Sequence, residues 1–505
     1  MKKQTYKILG AFVAASLAMG GAAFAERPEL SALTYEMGAA ETVKQATEHP
    51  TKDVVLGNLL AKENRVEAPA QILPAAEEVV IDLDKAVLTA LENNRDIKIS
   101  EYEYREAEAA VREAAAKKNP SASFKMGASR GSSTNAITKA YTVANAYEDG
   151  LSVSWPLWTG GSVEGAIAKA RANRGVKEES LYLQEATTKL SAISSYYKYL
   201  KAIQLADVAK ESMDNLDGHL KNVKQQYDAG IVAKLDVLSS NVSLANAKQS
   251  YITAENTKRL AEASLNNVMR LPLNTKLTPA TTEFPEPEFT ITMEEALAIA
   301  DAYRWEIAKA QYSVKAAQGD LRSAKSGYLP TLAVGGNYGW KDTEFPGFKN
   351  RTWGLSATLS WSLFDGGATD AKILSANNAI KAAEETLAKT RESIALEVRE
   401  DYLNVVAAKE KIRATEAAVE QAEEAFKIAS IRYKSGVGIN LDVLDAQLNL
   451  NNAKTNYISA LYDYNVGLAT LEKALGFPAV IHKNAETPLA TNAETPETPS
   501  SDETK

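Results

Sequence analysis

The 505-residue sequence has no cysteine, so neither disulfides nor thiolate chemistry are available to it. Its three histidines, His49, His219 and His482, are scattered without metal-ligand spacing. No catalytic residue, metal site or cofactor is therefore expected, and an enzyme is disfavoured. Beyond residue 25 there is no run of 18 or more apolar residues, which excludes a transmembrane helix. A membrane β-barrel stays open, because its sequence signal is much weaker. Positive charge is in deficit too. The net charge of −8 becomes −11 once Lys2, Lys3 and Lys7 leave with the leader, which argues against nucleic acid as a partner.

What is present begins with that leader. Three lysines, an apolar stretch over 8–24 and Ala23-Phe24-Ala25 mark residues 1–25 as a cleaved signal peptide. No cysteine follows the cleavage site, so no lipid is attached there. Residues 26–79 carry scattered proline, alanine and charge, and read as an N-terminal extension outside the core. Residues 479–505 repeat Ala-Glu-Thr-Pro and hold too little apolar surface to fold, so a disordered polar tail is expected.

Between them lies a tandem repeat, 80–273 and 274–478. Pro120 aligns with Pro330, W-P-L-W-T-G-G at 155–161 with W-S-L-F-D-G-G at 361–367, and Y-D-A-G-I-V-A-K-L-D-V-L at 227–238 with Y-K-S-G-V-G-I-N-L-D-V-L at 433–444. Each repeat reads helix, strand, strand, helix, helix. The first helices cover 82–118 and 292–328 and stop before proline. Strands are expected at about 120–130, 150–159, 330–340 and 353–364, each with one apolar face, as in Leu151, Val153, Trp155 and Leu157 against Ser152 and Ser154. Residues 131–148 and 341–351 become outward loops. Five of the six tryptophans lie in or beside these strands, as in the aromatic girdles of membrane barrels.

Length arithmetic constrains the arrangement. Helices over 162–227 and 368–433 would each span roughly 100 Å, and those over 82–118 and 235–270 roughly 55 Å each. Two short helices stacked end to end match one long one. Four strands cannot close a barrel, and open edges in lipid leave backbone groups unpaired at several kcal/mol each. Three protomers supply twelve strands. The fold class expected is mainly α with a β-barrel part: a trimeric twelve-strand outer-membrane barrel continued by a long periplasmic α-helical barrel.

Residues 80–478 resemble the TolC family of outer-membrane efflux and secretion channels. The resemblance rests on the duplicated element order, on W-x-L-[WF]-x-G-G, and above all on Y-x-x-G-x-x-x-x-L-D-V-L-D at 433–445. It implies a homotrimer in outer-membrane lipid that docks with a periplasmic adaptor (membrane fusion) protein and an inner-membrane pump of RND or ABC type. It also implies that Asp442 and Asp445 line the periplasmic entrance as rings of carboxylates. Asp236 and Tyr433 become the latch pair, since the position where the family has a basic residue is Gly438. Gly230 and Gly436 are read as tip turns and nothing more. A helix-start role explains Asp236 alone, but capping accounts for one of Asp442 and Asp445 and not both. A periplasmic coiled-coil adaptor or an envelope adhesin is the alternative, disfavoured by the duplication and by the four strands.

Overall fold

A computed structural model describes residues 78–134, 137, 141–345 and 348–477; the leader, nearly all of the extension and the tail lie outside the described residues. In chain order the elements are β1 (Glu78–Ile81), α1 (Leu83–Asn93), α2 (Arg95–Ala116), β2 (Ser121–Thr134), β3 (Tyr141–Trp158), α3 (Ser162–Asp228) and α4 (Lys234–Met269). The second half follows with β4 (Lys276–Pro279), α5 (Met293–Tyr303), α6 (Trp305–Lys325), β5 (Thr331–Asp342), β6 (Arg351–Ser360), α7 (Ala368–Lys434) and α8 (Asn440–Ala474). The chain is mainly helical, and every element from α1 to α4 has a counterpart from α5 to α8.

The two long helices have the same length, 67 residues each, or roughly 100 Å. α3 packs along α1, α2, α4, α6 and α8, and α7 along α5, α6 and α8. Small residues line these seams. Ala86, Ala90, Ala296 and Ala300 are fully buried, and a Cβ on Gly165 of α3 would lie 2.7 Å from the backbone oxygen of Gly319 on α6. The main core gathers Tyr196, Leu200, Leu265, Met269, Val398, Val405 and Tyr464 midway along the helices. None of the described helices is apolar enough over its length to cross a membrane.

The sheet has the order β2-β3-β5-β6, antiparallel throughout. Register separates its faces. Phe124 pairs with Leu151, Leu151 with Tyr338 and Tyr338 with Trp353, whereas Ser123 pairs with Ser152 and Ser152 with Asn337. The apolar side lies open: Met126, Trp353, Leu355 and Leu359 are all exposed. A continuous exposed apolar face on a strand array is what lipid covers.

Two tryptophans do more than belong to a girdle. The indole N–H of Trp155 donates to Lys118 O at 3.0 Å and that of Trp361 to Tyr328 O at 3.1 Å. Each occupies a carbonyl at the end of the preceding helical segment, where acceptors are otherwise orphaned. The paired glycines that follow, Gly160-Gly161 and Gly366-Gly367, all have positive φ and turn the strand into the long helix.

The structure corrects three expectations. The first helix of each repeat is not continuous. Asn94 breaks it in the first repeat by accepting from the N–H groups of Asp96 (2.7 Å) and Ile97 (3.3 Å), and the corresponding Arg304 breaks it in the second. The strands of the first hairpin extend far beyond 120–130 and 150–159, so the loop is not 131–148. Ladder pairing continues to Thr134↔Tyr141, because backbone pairing needs no apolar alternation and Tyr141, Thr142 and Val143 favour strands. In the second hairpin the pairing starts at Trp340↔Arg351, so the first hairpin spends its extra residues on ladder rather than on loop. Finally, the extension assigned to 26–79 ends inside β1, which pairs in parallel with β4 (Val79↔Leu277). Four residues whose partner lies so far along the chain leave no periodic signal.

Beside the Arg304 break sits a charged cluster. Burial, then the neighbouring Glu397, push the Asp401 carboxyl up to about 6, and its Oδ2 is buried without a partner. The folded value lies above the ordinary one, so Asp401 favours the folded state least above pH 6, where it is ionised in both states. Asp401→Asn is therefore expected to raise stability at pH 7.5 by about 1 kcal/mol, well under the roughly 3 kcal/mol the full displacement implies, because the group keeps some solvent. The gain should shrink as pH falls from 6 toward 4. Urea melts at pH 7.5 and at about pH 4 check it, and equal gains at both would refute it.

Candidate functional site

The tip is built by two helix ends and two helix starts. α3 closes with Gly230 N–H donating to Tyr227 O (2.9 Å) and Ile231 N–H to Gln226 O (2.9 Å). α7 repeats this with Gly436 to Tyr433 O (3.0 Å) and Val437 to Arg432 O (3.0 Å). Both glycines are left-handed, at φ 75° and 74°. This is a Schellman ending, which a residue with a Cβ enters at roughly 1–2 kcal/mol. Gly438 lies close against the same turn. Its N–H donates to Arg432 O at 3.1 Å, and a Cβ there would come within 3.0 Å of Tyr433 N and 3.1 Å of Arg432 C. The tight backbone is a physical reason for glycine at the position where the family resemblance implies a basic residue.

Asp442 lies in the first turn of α8 and Asp445 one turn on, both exposed. Asp445 also lines a groove of about 560 Å³ between α3, α4 and α8, together with Ser212, Leu216, Leu444 and Gln447. Asp236 occupies the first turn of α4, the matching place in the first repeat.

The expected latch is not made as a hydrogen bond. Tyr433 is 3% exposed, packed among Val223 and Val443, and its hydroxyl is buried without a partner. Burial first, and the Asp236 carboxylate second, raise its pKa. The Asp236 carboxylate is thus near enough to bear on Tyr433 but does not bond to it, and the Tyr433 ring is turned onto His219, centroids 4.8 Å apart.

The two hairpins are instead joined through Asn440, the first residue of α8. Its Nδ2 donates to Ser239 Oγ (3.0 Å) and Asp236 O (3.3 Å) of α4. Its Oδ1 accepts from Ser240 Oγ (3.1 Å) and stands 2.7 Å from His219 Nε2 of α3. All four hydrogen-bonding valences of one buried amide cross from the second hairpin to the first. Burial holds the His219 imidazole below its usual pKa, against the raising effect of the Asn440 bond, with Lys434 adding to the depression. Nothing in the sequence pattern singled out His219 or Asn440. One signal was available: Asn440 stands where the first repeat has Lys234, inside an otherwise matched motif. Among the described residues no group of three or more His, Asp or Glu could hold a metal.

With this geometry in hand, comparison with known proteins gives consistent results. The family model described as outer membrane efflux protein matches residues 87–269 and 297–477, one block per repeat. Outer membrane protein TolC of Escherichia coli is 25% identical over 353 residues, covering 64% of this chain and 70% of the relative. Alkaline protease secretion protein AprF of Pseudomonas aeruginosa is 24% identical over 335 residues, covering 65% and 69%. Among solved structures, the CmeC outer membrane channel of Campylobacter jejuni superimposes with a TM-score of 0.69 at 18% identity, covering 79% of this chain and 86% of that one. The open state of the MtrE outer membrane channel of Neisseria gonorrhoeae gives 0.66 at 19% identity, covering 78% and 88%.

Proposed function

The chain belongs to the outer membrane efflux protein family and is an outer-membrane protein; on that premise we propose that it is the exit duct of a tripartite efflux or type I secretion system. Three copies close a twelve-strand barrel through the free edges of β2 and β6, and the long helices continue it as a periplasmic tunnel. A periplasmic adaptor and an inner-membrane pump of RND or ABC type meet the tip, and the pump selects the cargo. The observation that carries this reading is the four-stranded sheet: apolar on one exposed face, polar on the other, with both edge strands unpaired among the described residues. An unpaired edge in lipid is untenable, so closure by further copies is the economical solution.

The gate in this reading is the pair Asp442 and Asp445. Threefold symmetry turns each into a ring of carboxylates at the narrow end. Such rings concentrate cations and repel one another, so they filter and destabilise closure at once. The exposure of both acids on one side of α8 supports this role, and it exceeds what a helix start requires.

The test is trimer formation in outer-membrane detergent extracts followed by single-channel recording. Divalent cations added on the tip side should block wild-type current. In Asp442→Ala with Asp445→Ala, the half-blocking concentration should rise about tenfold or more, equivalent to about 1.4 kcal/mol. An unchanged block in the double variant removes the acid gate and leaves the duct. A monomer without current removes the duct as well.

A further inference from the structure

We propose that His219 is an acid-operated release for the tip, acting on the seam between the two hairpins through Asn440. The inference rests on the channel reading and concerns a different group from the acid rings. Asn440 Nδ2 has two oxygen partners on α4, so its Oδ1 must be the acceptor toward His219. The proton of the neutral imidazole therefore sits on Nε2, and Nδ1 carries none. Acidification adds a proton at Nδ1 of a ring that is only 7% exposed.

The surroundings offer that second N–H little. α7 presents the Tyr433 ring at 4.8 Å and the like-charged Lys434. α8 presents the neutral amide of Asn440, while Asp442 faces solvent. α4 presents the Ser240 hydroxyl, already donating to Asn440, and the Asp236 carboxylate, which bears on Tyr433. On α3 itself Asp217 is engaged with Lys221 at 2.7 Å. Among the described residues no carboxylate is hydrogen-bonded to the ring. The imidazolium is relieved by moving toward water, and that movement breaks the 2.7 Å bond to Asn440.

The direction of the pH effect follows. With the Asn440 seam joined, the His219 pKa is held below its ordinary value near 6.5, so a tip with that seam parted binds the proton more readily. Closure is fully supported above about pH 6.5 and weakens as pH falls through the lowered value. The Tyr433 hydroxyl, buried and unpartnered, favours the same release because opening lets water reach it.

Full-length protein in planar bilayers tests this. Wild-type conductance should rise about threefold or more between pH 7.5 and 5.5, with a midpoint below 6.5. His219→Gln, neutral at both values and still a donor, should stay at the low level throughout. Asn440→Ala should conduct at the high level throughout. The step should persist with Asp442→Asn and Asp445→Asn, since the rings are not its source. A step kept in His219→Gln but lost on neutralising the rings overturns the proposal and leaves the channel intact. Absence of current at every pH overturns both. If His219→Gln does not assemble, the imidazole can be titrated directly: with His49→Gln and His482→Gln, His219 is the one histidine left in the chain. Carbon-13 labelling should then report a pKa below 6.5 in the closed protein, and a value at or above 6.5 overturns the proposal.

Discussion

Arg304→Met is expected to cost the assembled protein about 3 kcal/mol, the low end for breaking a buried pair because Glu397 keeps some solvent. The guanidinium is 3% exposed and spends its donors in three directions. Nε reaches Glu306 at 2.6 Å, Nη2 reaches Glu397 at 2.6 Å, and Nη1 donates to Ala474 O, the last carbonyl of α8, at 2.8 Å. Burial opposes the charge, yet the two carboxylates more than offset it and raise the arginine pKa. Removing the cation leaves Glu397 beside Asp401 with only Lys473 to offset them and leaves a helix end unsatisfied. Arg304→Lys should recover only part of the loss, because an ammonium cannot serve three diverging acceptors in one plane. Arg304→Met with Glu397→Gln should recover more than half. Urea denaturation of the oligomer at pH 7.5 measures all three. A loss under 1 kcal/mol in Arg304→Met would show that the cluster is solvated and contributes little.

Gly319→Val should be nearly as severe, through shape rather than charge. A Cβ on Gly319 would lie 2.7 Å from Lys169 N and 2.9 Å from Gly165 O, both backbone atoms. Backbone cannot step aside as a side chain does, so α3 and α6 must separate by about 1 Å, at a cost of about 3 kcal/mol. The separation also reaches the sheet, because α3 continues from β3, α6 leads into β5, and those strands pair. Loss of detergent-resistant oligomer is the expected readout, with Gly319→Ala intermediate. Gly218→Ala is the control. It lies within α3 with nothing within 4 Å of its would-be Cβ, so it should stabilise by about 0.5–1 kcal/mol. Equal behaviour at the two positions would mean that close approach is not what glycine supplies at 319.

Legibility in the sequence followed periodicity and backbone demand. The ends of α3 and α7 could be read to within a residue because Gly-Gly before them and Gly230 or Gly436 after them are conformational requirements, visible as letters. The alternating strands were legible for the same kind of reason, and so was the placing of exposed Asp442 and Asp445 one turn apart on α8. The unread features rest on single long-range contacts. Asn94 and Arg304 interrupt helices through what their side chains find in three dimensions. β1 is four residues whose meaning depends on β4. Tyr433 and Asp236 were paired by analogy, and a histidine dismissed as isolated turned the tyrosine elsewhere. Asn440 is the first residue of α8, with Ile439 at the cap position, and its amide reaches across the seam to α4.

The β1–β4 ladder sets a rule for the order of events during export. Glu78 and Thr278, bonded at 2.8 Å, are 200 residues apart in the chain. A chain threaded through the inner membrane from its amino end delivers the whole first repeat before β4 emerges. Until Leu277 arrives, α1 lacks the strand that anchors its entrance, and the apolar face of the first hairpin has neither its β5 neighbour nor lipid. Closing a loop of that length is slow compared with forming any helix it contains. In that order of synthesis the first half gains its β1 partner only with residues 276–279, and the apolar face of its hairpin gains β5 later still.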